Sequence, residues 1–205
     1  MKGSVYTLIY AAVLGSACAL LLTGAAEFTE EARKANAEAE EALNILLALK
    51  VPLPDNVTSK QVVEIREQNV QGEDLYIYSP PDANGTVLAV AIRFAGRGLW
   101  GPIKGFLALE PDMKTIRGIT FYEQEETPGL GGEITTKEFR GQFEGKSIIG
   151  VDGTPGIIIS VGGEDAPNKV DGITGATMTC DKVQAMLNEA IKSIRLLQNC
   201  RLGIL

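Results

Sequence analysis

The N-terminal part of the chain is its most apolar region and carries no charged residue from Gly3 to Ala26. A helix needs about 20 largely apolar residues to cross a hydrocarbon core of about 30 Å. The run is long enough, so the pattern predicts a transmembrane helix over residues 1–26. A cleaved signal peptide ending at Ala25–Ala26 and a lipoprotein signal at Cys18 are the alternatives. Both are disfavoured, because the apolar stretch of a signal peptide has only about 7–15 residues and a lipidated Cys18 would leave an unexplained apolar stub.

The charges that flank this run indicate its orientation. Lys2 is the only charged side chain before it, and the segment from Glu27 onward mixes acidic and basic residues. Cytoplasmic flanks of membrane helices carry an excess of Lys and Arg. The pattern therefore predicts a single-pass protein with a cytoplasmic N-terminus and the rest of the chain across the bilayer.

A second helix-forming segment, residues 27–54, follows directly. It is rich in Ala, Glu and Leu, and its apolar positions, such as Ala39 and Leu43, are three or four residues apart. Pro52 and Pro54 end the pattern, because proline does not fit a helix interior. We expect a helical stalk that continues the membrane helix outward.

From residue 55 onward, short strand-like runs alternate with glycine-rich turns. Runs of strand length that are rich in β-branched and aromatic residues cover Leu75–Tyr78, Val87–Phe94, Ile116–Tyr122 and Ile157–Val161. A closing helix begins near Thr179, and its apolar residues from Val183 to Leu197 form one stripe at the helical period. This order predicts an α+β domain over residues 55–205, with an antiparallel-rich sheet and flanking helices.

Composition narrows the chemistry that this domain can perform. The formal net charge is −7, which argues against nucleic-acid binding, since that function needs a basic surface. The chain has no histidine, which excludes Ser–His–Asp and Cys–His nucleophile systems and every metal site built on imidazole. Three scattered cysteines are too few for a zinc cage or a disulfide framework. We therefore predict no catalytic side chain and no metal ligand, and expect the chemistry to come from a cofactor or a partner.

The segment Asp171–Thr179 places hydroxyls and small residues directly before the closing helix. Gly175 and Ala176 leave room for a bulky group near the main chain, and a helix N-terminus favours a phosphate nearby. Thr179 is a candidate cap for the helix. Taken by itself, the segment also fits a plain capped turn.

Two further segments are unusual. Glu125–Glu133 has three glycines around Leu130, which predicts a loop whose amides can face a planar ligand with Leu130 packed on it. Gly96–Ile103 contains Trp100, the only tryptophan of the chain. A tight surface turn and a core tryptophan are the alternative interpretations of these two segments.

In this order, the three segments resemble the covalently flavinylated FMN-binding domain family. The resemblance extends over most of the chain and includes the apolar N-terminal run. Because of the segment Leu99–Pro102, the chain is most similar to the C-type subunit of the sodium-translocating NADH:quinone oxidoreductase (Nqr) branch. The G-type subunit of the Rnf branch shares the other two segments.

The resemblance implies that a flavin transferase joins FMN through its phosphate to Thr177, the last residue of the motif that begins at Thr174. Thr179 is a competing acceptor outside that motif. The other positions that match the cofactor site of the family are Thr174, Gly175, Ala176, Asp171, Gly172, Glu126, Thr127, Pro128, Gly129, Leu130, Gly131, Leu99 and Trp100.

The resemblance also implies the function of an electron-carrying subunit in a membrane, ion-translocating oxidoreductase complex that couples NADH, ubiquinone and sodium transport. Its FMN domain would lie on the periplasmic side of the bacterial inner membrane. The partners would be the other subunits, the flavin transferase and the lipid bilayer, and the subunit would catalyse no reaction alone. The alternatives are the G-type subunit of an Rnf ferredoxin:NAD oxidoreductase complex and an independent FMN-tethered membrane reductase, for which Arg93, Arg97 and Lys104 are the suggestive basic groups.

Two features depart from the pattern of the family. At 205 residues the chain is shorter than a typical C-type subunit of the Nqr branch, which keeps the Rnf alternative open. Cys180 stands where serine is expected. A thiol at a helix N-terminus tends towards a lowered pKa, so a reactive cysteine and a plain small residue are the two interpretations.

Overall fold

The computed structural model describes the backbone of residues 2–202 and the side chains of residues 5–195. It divides the chain into two compact units, Met1–Ala39 and Glu40–Leu205. One continuous helix, α1 (Lys2–Ala48), accounts for all of the described part of the first unit and for the beginning of the second.

The N-terminal unit is helical and apolar. Large hydrophobic side chains from Val5 to Leu22 are exposed, and the helix is long and apolar enough to cross a membrane. The predicted stalk continues this helix without a break, and the helix ends at Ala48, before Pro52. The division of the chain at residues 26 and 54 stays a prediction.

The second unit is built on an antiparallel sheet of five strands, in which each strand pairs with the next one along the chain. In spatial and chain order the strands are β1 (Val70–Gln71), β2 (Leu75–Tyr78), β3 (Ala89–Arg97), β4 (Pro102–Leu109) and β5 (Ile116–Glu123). A separate parallel pair is formed by β6 (Ile158–Ser160) and β7 (Lys169–Asp171). The other helices of this unit are α2 (Ser59–Asn69), α3 (Lys137–Gly141) and α4 (Thr177–Leu202). The α+β fold with an antiparallel-rich sheet is confirmed.

Several elements were not predicted from the sequence pattern. β4 lies between β3 and β5 and pairs with both, but Gly105 interrupts its strand-like sequence pattern. Glycine is required there, because a Cβ at Gly105 would collide with the carbonyl oxygen of Thr120 and with the ring of Phe94. α2 begins with a capping box in which Thr58 and Gln61 satisfy each other's backbone amides.

The sheet separates two hydrophobic cores. One contains the apolar stripe of α4, including Val183, Leu187 and Ile191, and the other contains the end of α1 with Ile45 and Leu46. Consecutive residues of β4 point to opposite faces: Leu107 and Leu109 enter the α4 core, and Phe106 and Ala108 enter the α1 core. The stripe predicted for the closing helix is confirmed up to Ile194, and Leu197 lies outside the described side chains.

The end of α1 is tied to β5 within this unit. The hydroxyl of Thr120 donates to the carbonyl of Asn44 at 3.0 Å, and Nε of Arg117 donates to the carbonyl of Leu49 at 2.7 Å. Between them, Gly118 lets the carbonyl of Ala48 approach the strand closely. β5 then leads directly into the loop that begins at Gln124, so this contact supports the strand that carries the candidate site.

Candidate functional site

The three segments that stood out in the sequence meet at one cleft. The turn between β3 and β4, the loop after β5 and the first turn of α4 enclose a cavity of about 350 Å³. Its lining consists of Leu99, Trp100, Glu126, Thr127, Leu130, Gly131, Gly175, Ala176, Thr177, Met178 and Thr179. Nine of the fourteen predicted site residues are in this lining. The other five, Asp171, Gly172, Thr174, Pro128 and Gly129, lie in the same segments but do not line the cavity.

Glu126 lies at the meeting point of the three segments and is only 4% exposed. Its Oε1 accepts hydrogen bonds from the backbone amides of Leu99 at 2.7 Å and Trp100 at 3.1 Å. Its Oε2 accepts a hydrogen bond from the hydroxyl of Thr179 at 2.6 Å. One carboxylate therefore links the loop after β5 to both other walls of the cleft.

The three threonines near the start of α4 differ in environment. Thr177 is the first residue of α4, is exposed and lines the cleft. Thr179 is 2% exposed, and its hydroxyl donates a hydrogen bond to Glu126. Thr174 is exposed in the turn before the helix but does not line the cavity. Of the three hydroxyls, that of Thr177 is the one that is both exposed and located in the cleft.

The prediction that Thr179 caps the helix is wrong. The amide of Cys180 donates to the carbonyl of Ala176 at 3.0 Å, so the helix begins at Thr177 and Ala176 holds the N-cap position. The turn before it closes with a bond from the amide of Ala176 to the carbonyl of Ile173, also 3.0 Å. Gly175 has a φ of +83°, which a residue with a side chain adopts only with strain.

Four large apolar side chains of the cleft are exposed to solvent. Trp100 is 68% exposed, so the alternative of a core tryptophan is excluded. Met178, Leu130 and Leu99 are 58%, 43% and 40% exposed. Met178 was missed in the sequence analysis, where only its position outside the apolar stripe of α4 distinguishes it. Uncovered apolar surface of this kind, around a concave site, is typical of ligand pockets.

The loop after β5 uses several amides internally. The amides of Leu130 and Gly132 donate to the carbonyl of Thr127 at 3.1 and 3.0 Å, and that of Gly129 donates to the side chain of Glu133 at 3.0 Å. The expectation that the amides of this loop face a ligand is therefore wrong for these three. What the loop presents to the cleft is the side chain of Leu130.

Cys180 has the properties of an inert packing residue. It is 2% exposed, and burial raises the pKa of its thiol, although the amide of Ile173 donates to Sγ at 3.3 Å and opposes this effect. The lowered pKa expected at a helix N-terminus is therefore wrong for this site. A buried, protonated thiol is a poor nucleophile, which supports the interpretation of Cys180 as a substitute for serine.

Two of the three basic groups considered for an independent reductase are paired with carboxylates. Arg93 pairs with Glu41 and donates to the hydroxyl of Tyr76 at 3.3 Å. The ammonium of Lys104 binds the carboxylate of Glu123 at 2.7 Å, and this hydrogen bond raises its pKa. Neither these two groups nor Arg97 line the cleft.

Comparison with known proteins gives a consistent family. Residues 98–192 match the model of the FMN-binding domain. The chain is 35% identical over 150 residues to NqrC, the C-type subunit of the Na(+)-translocating NADH-quinone reductase, of Pasteurella multocida, covering 72% of this chain and 56% of that protein. The corresponding protein of Yersinia pestis is 42% identical over 114 residues, which cover 55% of this chain and 43% of that protein. The chain thus spans about half the length of the curated relatives it matches.

Solved structures show the same fold. NqrC from Parabacteroides distasonis superposes with a TM-score of 0.63 at 26% identity, covering 78% of this chain and 91% of that one. NqrC of Shewanella oneidensis has a TM-score of 0.63 at 23% identity, with coverage of 74% and 91%. The chain therefore carries a domain of the FMN-binding domain family and is homologous to the NqrC subunits of the Na(+)-translocating NADH-quinone reductases.

Proposed function

We propose that this chain carries FMN joined by a phosphoester to Thr177. The observation that supports the proposal is the contrast between the exposed Thr177, in the cleft at the first position of α4, and the buried, hydrogen-bonded Thr179. Amides at a helix N-terminus lack intrahelical acceptors, and the helix dipole favours a negative charge there. A phosphate on Thr177 would be placed at this end of the helix.

The residues of the cleft fit such a group. A volume of about 350 Å³ is within the usual range for small-molecule pockets, and the open side leaves room for part of the cofactor outside. Leu99, Trp100 and Leu130 offer apolar and aromatic surface to a planar ring. When bound, FMN would supply the capacity to accept and release electrons. The residues of the chain would hold and orient it and would exclude part of the solvent.

We further propose that the chain acts as an electron-carrying subunit of a sodium-translocating NADH:quinone oxidoreductase complex. The names of its relatives support this role, as does an apolar N-terminal helix long enough to cross a membrane. The domain would lie on the periplasmic side of the inner membrane, with the other subunits and the flavin transferase as protein partners.

The two alternatives have less support. The relatives described above are NqrC proteins, which favours the Nqr complex over an Rnf complex and its G-type subunit. An independent reductase would need a proton donor beside its acceptor, but Arg93 and Lys104 are engaged elsewhere by Glu41 and Glu123. The cleft suits a bound cofactor better than a second, small-molecule acceptor.

The attachment is tested by expressing the full chain with an active flavin transferase. We expect a band that fluoresces under ultraviolet light after denaturing electrophoresis and that disappears in Thr177→Ala. Thr86→Ala is the matched control, since Thr86 is exposed, lies outside the attachment motif and does not line the cavity, and it should keep the band. Trypsin releases Val170–Lys182, which contains all three threonines, so fragmentation of this peptide identifies the acceptor. A wild-type chain without flavin, or flavin on Thr174 or Thr179, would refute the proposed attachment.

The role in a complex is tested by purification in mild detergent. Co-purification with several multi-span membrane subunits supports an electron carrier, whereas a lone chain that turns over a soluble acceptor would overturn it. Orientation is tested with Val151→Cys, because Val151 is 86% exposed, in a chain whose native cysteines are replaced by serine. A membrane-impermeant maleimide should label it from the periplasmic side of intact cells. Labelling only after lysis would contradict the orientation.

A further inference from the structure

We propose that Glu126 is a positioning residue, whose carboxylate holds the Leu99–Trp100 turn against the first turn of α4 and so shapes the cleft. The proposal rests on the proposed function for the identity of the ligand. The hydrogen bonds that support it are made between groups of the protein. Glu126 would therefore act on FMN through its neighbours, although its position in the motif first suggested a contact with the ring.

The carboxylate of Glu126 accepts three hydrogen bonds from groups of the protein itself. A carboxylate only accepts hydrogen bonds, and three donors occupy it here: the amides of Leu99 and Trp100 and the hydroxyl of Thr179. The donors come from two segments that are about 80 residues apart in the sequence. Their bond lengths of 2.6 to 3.1 Å are those of well-formed hydrogen bonds to a charged acceptor.

Gly98 and Gly131 lie so close to the carboxylate of Glu126 that neither position has room for a side chain. A Cβ at Gly98 would collide with Oε1 of Glu126 and would lie 2.8 Å from Cδ1 of Ile103. A Cβ at Gly131 would lie 2.6 Å from Oγ1 of Thr179 and 2.8 Å from Oε2 of Glu126. These two glycines leave the space that the carboxylate fills. They are therefore required by the hydrogen-bonded centre itself, independently of any contact with a ligand.

The Leu99–Trp100 turn depends on this centre. The turn is closed by one backbone bond, from the amide of Gly98 to the carbonyl of Gly101 at 2.8 Å. The side chains of Leu99 and Trp100 are 40% and 68% exposed and belong to neither hydrophobic core. The two hydrogen bonds from the backbone amides of Leu99 and Trp100 to Glu126 therefore fix the direction in which Trp100 is presented to the cleft.

Trp100 provides the measurement, because it is the only tryptophan of the chain. The full chain is made without flavin transferase, kept in mild detergent, and its time-resolved tryptophan anisotropy is recorded. We expect mainly slow decay in the wild type and a larger fast component in Glu126→Ala, because the turn loses two of its anchors. Glu164→Ala is the matched control, since Glu164 is exposed and does not line the cleft, and its decay should equal that of the wild type. A Glu126→Ala chain with the decay of the wild type would overturn the proposal.

Conservative variants separate positioning from general destabilisation. Glu126→Gln keeps an oxygen for the two amides and an amide that can donate to Thr179, so it should restore most of the slow decay. Thr179→Val removes one arm at nearly constant volume, and Thr179→Ser keeps it; we expect added Trp100 mobility in the first and none in the second. These two variants decide the matter if Glu126→Ala does not fold. Equal decay in all Thr179 variants would show that this arm does not position the turn.

A second readout uses the flavin-loaded chain. FMN on Thr177 should quench the emission of Trp100, and quenching should be weaker in Glu126→Ala and recovered in Glu126→Gln. Failure of the wild type to carry flavin would refute the proposed function and leave the anisotropy result standing. Full flavin loading of a Glu126→Ala chain with unchanged anisotropy and quenching would refute only the role of Glu126.

Discussion

Gly118 in β5 has no room for a side chain. A Cβ there would lie 2.6 Å from the carbonyl oxygen of Ala48, where ordinary contacts begin at 3.4 Å. The position of the Cβ is fixed by the backbone of β5, and its partner is a backbone carbonyl, so neither can rotate away as a flexible side chain would. Gly118→Ala must therefore move the end of α1 and β5 apart by about 0.8 Å, and we expect it to destabilise the domain.

The magnitude follows from what this displacement disturbs. The hydrogen bonds from Thr120 to Asn44 and from Arg117 to Leu49 lie on either side of the contact, and Leu49 is fully buried. Overpacking of this kind costs about 1–3 kcal/mol, and about 0.5–1 kcal/mol is regained because alanine suits a strand better than glycine. The midpoints of these ranges leave a net loss of about 1 kcal/mol, which corresponds to a fall in Tm of about 2–4 °C for a domain of this size.

Cys180 allows the measurement in detergent, where the long N-terminal helix would dominate a circular-dichroism signal. In a chain with Cys18→Ser and Cys200→Ser, a thiol-reactive dye should report thermal exposure of the buried Cys180 alone. Gly141→Ala is the matched control, because its added Cβ meets nothing within 4 Å, and its Tm should equal or slightly exceed that of the wild type, since alanine also suits α3 better than glycine. If Gly118→Ala unfolds at the same temperature as Gly141→Ala, the close approach of Ala48 is refuted.

Three further predictions concern the second unit. Gly175→Ala should lose about 1–2 kcal/mol of stability, because its φ is +83°, and should also lower flavin loading measured by in-gel fluorescence. Gly153→Ala, at φ +79° with nothing within 4 Å of the added Cβ, should lose stability alone. Equal flavin loading in both variants would contradict this prediction. Lys169→Met should lower the free energy of unfolding by about 1–3 kcal/mol, because the buried ammonium of Lys169 donates to the carbonyls of Gly162 and Glu164 at 2.5 and 3.0 Å. Lys146→Met loses only a surface ion pair and should cost less than about 1 kcal/mol in the same thermal assay. Equal costs would refute the role of burial. Burial raises the pKa of the Cys180 thiol in the folded chain, so this thiol ionises first in the unfolded chain as the pH rises. The stability of the wild type relative to Cys180→Ser should therefore be constant below the ordinary thiol pKa and fall as the pH rises towards the pKa of the folded state. A stability difference that is independent of pH up to about 10 would contradict the raised pKa.

The elements predicted correctly were those whose local pattern agrees with their tertiary environment. β2 was predicted at its observed bounds, and the stripe of α4 faces the core as expected. β4 was missed, because Gly105 is demanded by neighbours on two other strands and weakens the local strand signal. α2 was also missed, because its sequence is mostly polar and the capping box formed by Thr58 and Gln61 is its main local signal.

The candidate site was predicted as a set of residues but not as an arrangement. Family resemblance assigned Leu99, Glu126 and Thr177 to one site, and the structure places all three in one cleft. The three hydrogen bonds of Glu126 join residues far apart in the sequence, so no local pattern could predict them. For Cys180, effects of opposite sign compete, and desolvation by burial, which raises the pKa of the thiol, outweighs the backbone hydrogen bonds from Ile173 and Cys180, which lower it.

The difference between Thr177 and Thr179 follows from where α4 begins. Two residues along an α-helix are separated by about 200° around its axis, so their side chains point to nearly opposite sides. With the helix starting at Thr177, Thr179 is turned inward to Glu126 and Thr177 is turned outward to the cleft. The start is fixed by the turn that precedes it, in which Gly175 adopts the positive φ and Ala176 accepts the first helical hydrogen bond. Thr179 lies four and eight residues before the buried Val183 and Leu187, on the same face of α4, and this place on the helix distinguishes its hydroxyl from that of Thr177.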